Sequence, residues 1–197
     1  MGEAWDEEMG DEVAAGERAH VEQFWPDRVH EEFIWTLGPI GEVLPRFRVR
    51  RVAPGERRDP WVYVSIGAWE ATADDDHGTE FLLLSPTEDA RHVELLAMVA
   101  HLHADARYRL AVGSTVDIGR PWIGDAVADH LLVTLPYPYG PDLELFRLDG
   151  RTVQFVWLVP ITAAEAGLVR RDGLDTFERL LEETGVDVIS PQRRSLV

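Results

Sequence analysis

The stretch Val153-Gln154-Phe155-Val156-Trp157-Leu158-Val159-Pro160-Ile161-Thr162-Ala163-Ala164-Glu165 decides the fold. Its first part is rich in β-branched and aromatic residues and predicts a strand over residues 152–159. Just upstream, Asp149-Gly150 separates this run from the apolar segment Leu143 to Leu148, and a DG pair between two apolar runs predicts a hairpin. Downstream of Pro160, Thr162-Ala163-Ala164-Glu165 has the form of a capping box. The threonine hydroxyl can accept from the third helical amide while the glutamate reaches back to the cap amide, so a helix opens here. A further helix, marked by Leu174, Phe177, Leu180 and Leu181, stops at Gly185.

Working towards the N-terminus, His130 to Leu135 and Leu110 to Gly113 read as strands, separated by the Gly119-Arg120-Pro121-Trp122 turn region. Ser85-Pro86-Thr87-Glu88 places serine at a cap, proline at the first helical position and glutamate at the third. It predicts a helix running to about Ala104 with Leu95, Leu96, Val99 and Leu102 as its apolar face. Glu80 to Leu84 and Trp61 to Ile66 are further strands. The second pairs with the alternating Arg46-Phe47-Arg48-Val49-Arg50, whose arginine face is expected to look into solvent. A weaker helical pattern covers Glu12 to Trp25 and is ended by Pro26. Seven acids (Glu3, Asp6, Glu7, Glu8, Asp11, Glu12, Glu17) precede or begin it against Arg18 alone, which predicts a solvated tail leading into that helix. These elements define an α+β protein, with residues 1–29 as acidic tail and helix and 30–197 as one globular unit.

The chain of 197 residues is long enough for one sizeable core. It contains no cysteine, and all 19 of its basic residues are arginine. Thiol nucleophiles, thiolate metal sites, Walker A phosphate loops and Schiff-base chemistry are thereby excluded. No apolar run approaches the roughly 18 residues of a membrane span, so no membrane association is expected. The opening Met-Gly-Glu-Ala-Trp-Asp-Glu-Glu has neither the basic nor the apolar part of a secretory signal, so a cytoplasmic location is expected. The formal net charge of −17 disfavours nucleic acid as a partner and favours a basic protein, although it also serves solubility alone.

The order of elements resembles that of the suppressor of fused domain family over roughly residues 30 to 197. The resemblance rests on Val62 to Trp69, the strand Glu80 to Leu84, the Pro-headed helix, Gly113-Ser114-Thr115-Val116 and Leu131 to Pro136. Most specific are Val153 to Thr162 with Glu165, and the Asp187 to Val197 tail with Arg194. It implies a mixed, largely antiparallel sheet flanked by helices, acting as a non-enzymatic protein-binding module without cofactors. Bacterial relatives resemble immunity proteins that neutralise toxins, which would make a basic toxin domain the expected partner. Gly-Ser-Thr stands at 113–115 where the family pattern has Gly-His-Thr, so a site built on that histidine is not expected.

Candidate chemistry is thin. Asp74, Asp75, Asp76 and His77 with Glu80 gather oxygen and imidazole ligands within seven residues. Their spacing fits no EF-hand loop, and the ordinary reading is a solvated acidic loop. His101 and His103 are two apart on a helix and face different ways, which rules out a zincin-type pair. Ser65, Ser114 and Thr115 are available hydroxyls, but none lies in a nucleophile elbow. The alternative to a binding module is a small hydrolase or metal-dependent enzyme using the acidic loop. Six of the seven tryptophans fall in or beside ordered segments and are expected in the core. Tyr137 and Tyr139 are set among Pro136, Pro138 and Pro141, and two readings are open: rigid anchors for a partner, or a loop folded back on the sheet. Asp74, Asp75, Asp76, Tyr137 and Tyr139 are therefore the candidate partner-binding residues.

Overall fold

The computed structural model describes the backbone of residues 2–72 and 77–197 and the side chains of 8–72 and 77–197. β8 (Arg151–Ile161) is the centre of the molecule. It pairs in parallel with β4 (His77–Ser85) and antiparallel with β6 (His130–Thr134) and with β7 (Leu145–Leu148). Val153, Phe155, Trp157, Val159 and Ile161 point to one face, and Val156 and Leu158 to the other, all buried. A strand covered on both faces must read as a continuous apolar run, and this one does. With β1 (His30–Phe33), β2 (Arg48–Val52), β3 (Trp61–Ile66) and β5 (Thr115–Asp117), the sheet has the order β1-β2-β3-β4-β8-β6-β5, with β7 added beside β8. Every pairing but β4 with β8 is antiparallel, so the mixed, largely antiparallel α+β class holds.

One face is covered by α2 (Ile40–Val43) and α3 (Arg91–Ala104). The other is covered by α1 (Gly2–Phe24), α4 (Pro141–Glu144), α5 (Ala163–Asp172) and α6 (Leu174–Thr184). The Asp149-Gly150 hairpin forms as its sequence demands: Asp149 at φ 48° and Gly150 at φ 85° give the two left-handed positions of a primed turn. Thr162 accepts from Glu165 N at 3.3 Å, and Glu165 Oε2 accepts from Thr162 N at 2.7 Å, closing the capping box of α5. Gly185, in the left-handed region, ends α6.

Four expectations are corrected. The acidic segment before Glu12 has a helical backbone from Gly2 rather than forming a tail. Val13, Ala14, Glu17 and Val21 are buried, Asp11 pairs with Arg46 at 2.8 Å, and Glu22 pairs with Arg50. Gly16 lets the helix approach closely, since a Cβ there would lie 2.4 Å from the Phe146 ring. For the same reason the arginine face of β2 does not look into water: Arg46 and Arg50 lie under α1, and Arg50 is buried.

The Ser85 capping box does not form. Ser85 Oγ donates to Thr87 O at 2.7 Å and faces His92 Nε2 at 3.0 Å, while Glu88 pairs with Arg51, so α3 begins at Arg91. Finally, Leu110 to Gly113 is a turn, with Gly113 at φ 91°, and the strand starts at Thr115. Ala111 N donates to Ser114 Oγ and Ser114 N to Ala111 O, closing a turn, and cross-strand bonding to β6 starts only with Gly113 N to Val133 O at 2.8 Å.

A candidate partner-binding groove

Three segments distant in sequence converge on the α3 side. Leu95, Leu96 and Val99 face the sheet and are buried. Met98, His101 and Leu102, further round the same helix, face the segment Trp35 to Ile40 and the end of β5. Together they bound a groove of about 630 Å³ floored by Val99, Val116 and Ile118. Gly38, at φ 82°, turns the chain at its rim and leaves Leu37 68% exposed; Met98 is 43% exposed. Ile34 and Val43, on the same stretch of chain, are also exposed. Apolar side chains in water that line a concavity mark an interaction surface more than scattered ones do.

Two acids, Glu94 and Asp117, line this groove. Glu94 accepts from Arg120 at 2.8 Å, whereas Asp117 is largely exposed. Beneath the groove's helix sit two buried imidazoles. His92 stacks on Trp122 with ring centroids 5.5 Å apart and meets the Tyr63 edge. His103 Nδ1 accepts from Leu110 N at 3.0 Å. Burial pushes both down to about 4, so both are neutral at physiological pH.

The sequence-derived candidates are distributed differently. Asp74, Asp75 and Asp76 lie outside the described residues. Tyr137 is 57% exposed, and its hydroxyl donates to Glu178 of α6 at 2.9 Å, the same carboxyl oxygen that accepts from Thr134 at 2.8 Å. Tyr139 instead turns inwards and meets Trp25 and Phe24 edge-on, at 5.1 Å and 5.7 Å. Burial pushes its phenol up to about 12. The fold-back reading thus describes Tyr139, while Tyr137 stays at the surface. Both lie on the α1 and α6 side, away from the groove.

The candidate hydroxyls are engaged in the scaffold. Ser65 donates to Glu80 and accepts from Phe81 N at 2.7 Å; Ser114 accepts from Ala111 N, and Thr115 from Arg170 at 3.1 Å. Among the described residues no group of three or more histidines or acids is placed to hold a metal ion, and no helix is long and apolar enough to cross a membrane. Trp25, Trp69, Trp122 and Trp157 are buried, and Trp35 and Trp61 are packed at the core's edge. Sequence reasoning missed the groove altogether. It also missed Arg193, which is buried and gives Glu165 two bonds, at 2.7 Å and 2.8 Å, with a third to Pro160 O at 2.7 Å. Arg194, the residue singled out in the tail, is exposed.

An α+β scaffold with this central parallel pair, this hairpin and this strand-to-capped-helix junction is that of the suppressor of fused proteins. The family's model matches residues 44–194, and the chain belongs to that family. A suppressor of fused homologue from Neisseria gonorrhoeae FA 1090 superposes with a TM-score of 0.84 at 37% identity, covering 94% of this chain and 97% of that one. The Sufu–Fu complex matches with a TM-score of 0.67 at 15% identity, covering 90% of this chain and 89% of that one. Drosophila Suppressor of Fused matches at 0.66 and 15%, covering 90% of this chain and 50% of that one. The last two share the fold. Among curated proteins, immunity protein YqcF of Bacillus subtilis (strain 168) is 28% identical over 68 residues, which is 34% of this chain and 35% of that protein. The chain thus spans about a third of the length of that relative.

Proposed function

We propose that this chain is a protein-binding module of the immunity type, masking a basic partner that seats an apolar segment in the groove between α3 and Trp35 to Ile40. The groove carries the proposal: it exposes Leu37 and Met98 and presents the exposed carboxylate of Asp117 at its edge, which suits apolar side chains flanked by lysine or arginine. Family membership supports a binding role, and the partial likeness to an immunity protein supports a toxin as the partner. Protection of the cell that makes such a toxin requires action inside it, so a cytoplasmic location belongs to the same proposal. Tyr137, on the α6 side, is proposed as a second contact, and Asp74, Asp75 and Asp76 remain proposed for their charge.

The test is affinity capture from the native host with wild type, Met98→Asp and Tyr137→Ala, followed by binding measurements on the captured protein. Met98→Asp should weaken binding at least about tenfold, roughly 1.4 kcal/mol, with unchanged melting temperature. The wild-type association rate should fall with ionic strength. Tyr137→Ala acting alone would move the contact to the α6 side. Binding untouched by both substitutions would sink this placement.

A further inference from the structure

Glu17 and Glu80 are both fully buried, one on α1 and the other on β4, and they meet across the interface between helix and sheet. Glu80 is surrounded by donors: Ser65 Oγ donates to Oε2, and Trp69 N to Oε1 at 3.0 Å. Glu17 Oε2 accepts from Gly67 N at 3.1 Å, but Glu17 Oε1 has no donor facing it among the described residues. One turn holds both carboxyls, Glu17 through Gly67 N and Glu80 through Trp69 N, which leaves the Glu80 carboxyl as the side-chain partner for Glu17. Two carboxylates cannot both be ionised, dry and in contact without a cation between them. The arrangement closes if Glu17 carries a proton and donates it to Glu80.

We infer that Glu17 and Glu80 share one proton across the α1 interface, and that this proton makes the seating of α1 on the sheet sensitive to pH. Loss of the proton places two like charges in the interface and drives the helix outwards. The residues matched by the family model, 44–194, contain Glu80 but not Glu17, so the switch joins a helix outside the matched region to the common scaffold.

Other charged groups around the interface are paired. On α1, Asp11 faces Arg46, Arg18 faces Glu32 at 2.7 Å, Glu22 faces Arg50, and His20 bonds Leu143 O at 2.9 Å. From the turn Ala68–Thr72, Glu70 pairs with Arg46 at 3.0 Å. Burial raises Glu17 well above the ordinary glutamate range and Glu80 to about 7. A carboxyl raised on folding binds its proton more tightly in the native state. Glu80 gives up its own proton as pH climbs through about 7, leaving the single shared proton on Glu17; the contribution to α1 docking is therefore full below the ordinary glutamate pKa, falls in part through about 7, and is lost only above that, when Glu17 ionises in turn.

The test has two arms. In the wild-type protein with carboxyl-labelled glutamate, a carbon NMR titration should show one carboxyl still protonated above about pH 7, when exposed glutamates and Glu80 are ionised. Hydrogen exchange, corrected for intrinsic rates, should show protection across residues 13–21 falling at least about tenfold as pH is raised from about 7 to about 9.5. Glu17→Gln, which keeps a donor without a charge, should flatten that dependence to within about twofold, and His20→Gln should leave it in place. The inference is overturned if all glutamates ionise together below about pH 5, if protection does not change with pH, or if His20→Gln rather than Glu17→Gln flattens it. The NMR arm stands on the wild-type protein even if Glu17→Gln fails to fold.

Discussion

On the α3 face of the sheet the buried ionisable groups include the imidazoles of His92 and His103; on the α1 face they include the carboxyls of Glu17, Glu80 and Glu165. Both faces bury comparable sets of aliphatic and aromatic side chains, so the difference lies in the trapped polar groups. The histidines are kept neutral by burial, each with one ring nitrogen engaged. The carboxyls use two other solutions: a counter-ion at Glu165 and a shared proton at Glu17 with Glu80. A neutral imidazole is tolerated in a core at little cost, whereas a carboxylate requires a dedicated partner. The α1 face therefore depends on specific residues at a distance, and the α3 face is free to leave a groove open.

The largest effect is expected where the carboxylate face depends on one side chain. Arg193→Ala leaves Glu165 buried beside an empty site, since the guanidinium supplies two of its bonds. Arg193 and the bond from Leu196 N at 3.0 Å, with the Thr162 amide, hold this carboxyl below the usual range despite its burial. Stability should drop by about 3–5 kcal/mol in urea unfolding. A loss under about 1 kcal/mol would show that the tail carries no part of the fold and would dissolve the contrast between the faces.

The α3 face should reveal itself through acid. His92 and His103, depressed to about 4 in the native protein, regain their protons near 6.5 once unfolded. Their contribution is present above the unfolded pKa and is lost as pH falls from about 6.5 through 4. The loss should reach about 3 kcal/mol for the more deeply buried His92. The carboxyl pair works in the opposite direction over the upper part of that range. Urea titrations across pH on wild type, His92→Gln and Glu17→Gln would resolve the two slopes; equal slopes in wild type and His92→Gln would remove the histidines from the comparison.

Tyr137 and Tyr139 offer a closer test, two rings of one loop with different surroundings. Tyr139→Ala removes the edge contacts with Phe24 and Trp25 and should cost about 2–3 kcal/mol. Tyr137→Ala removes a half-exposed ring and should stay within about 0.5 kcal/mol by thermal melting. Similar losses for both would make the loop a single structural unit.

The parts of the fold legible in the sequence are those whose causes are local. Asp149-Gly150 dictates a hairpin through backbone conformation alone, and Val153 to Ile161 dictates a central strand through burial of both faces. Ser85-Pro86-Thr87-Glu88 misleads because its polar groups have better partners far along the chain, His92 and Arg51. Arg46 and Arg50 mislead likewise, since each has an acid of α1 as a partner. The groove was not legible because Leu37, Met98 and Val116 come from three separate segments, each unremarkable alone. Glu17 left a faint signal, standing between Val13 and Val21 on a stripe otherwise apolar. Arg193 left none, since nothing local distinguishes it from Arg194.

The smallest effect compares two sequences that look alike and fold differently. Thr162-Ala163-Ala164-Glu165 closes a capping box on the α1 side, and Ser85-Pro86-Thr87-Glu88 does not close one on the other. Thr162→Ala removes the acceptor for Glu165 N and the bond to Ser195 Oγ at 2.8 Å, and should cost about 1 kcal/mol. Thr162→Ser should recover most of that, because serine offers the same oxygen. Glu88→Ala removes only an exposed pair with Arg51, whose other partner Glu31 remains, and should fall within about 0.5 kcal/mol of wild type. Chemical denaturation of the three variants decides the matter. If Glu88→Ala costs as much as Thr162→Ala, then Glu88 has a role at the start of α3 that its pairing with Arg51 does not explain, and α3 begins where its sequence says it should.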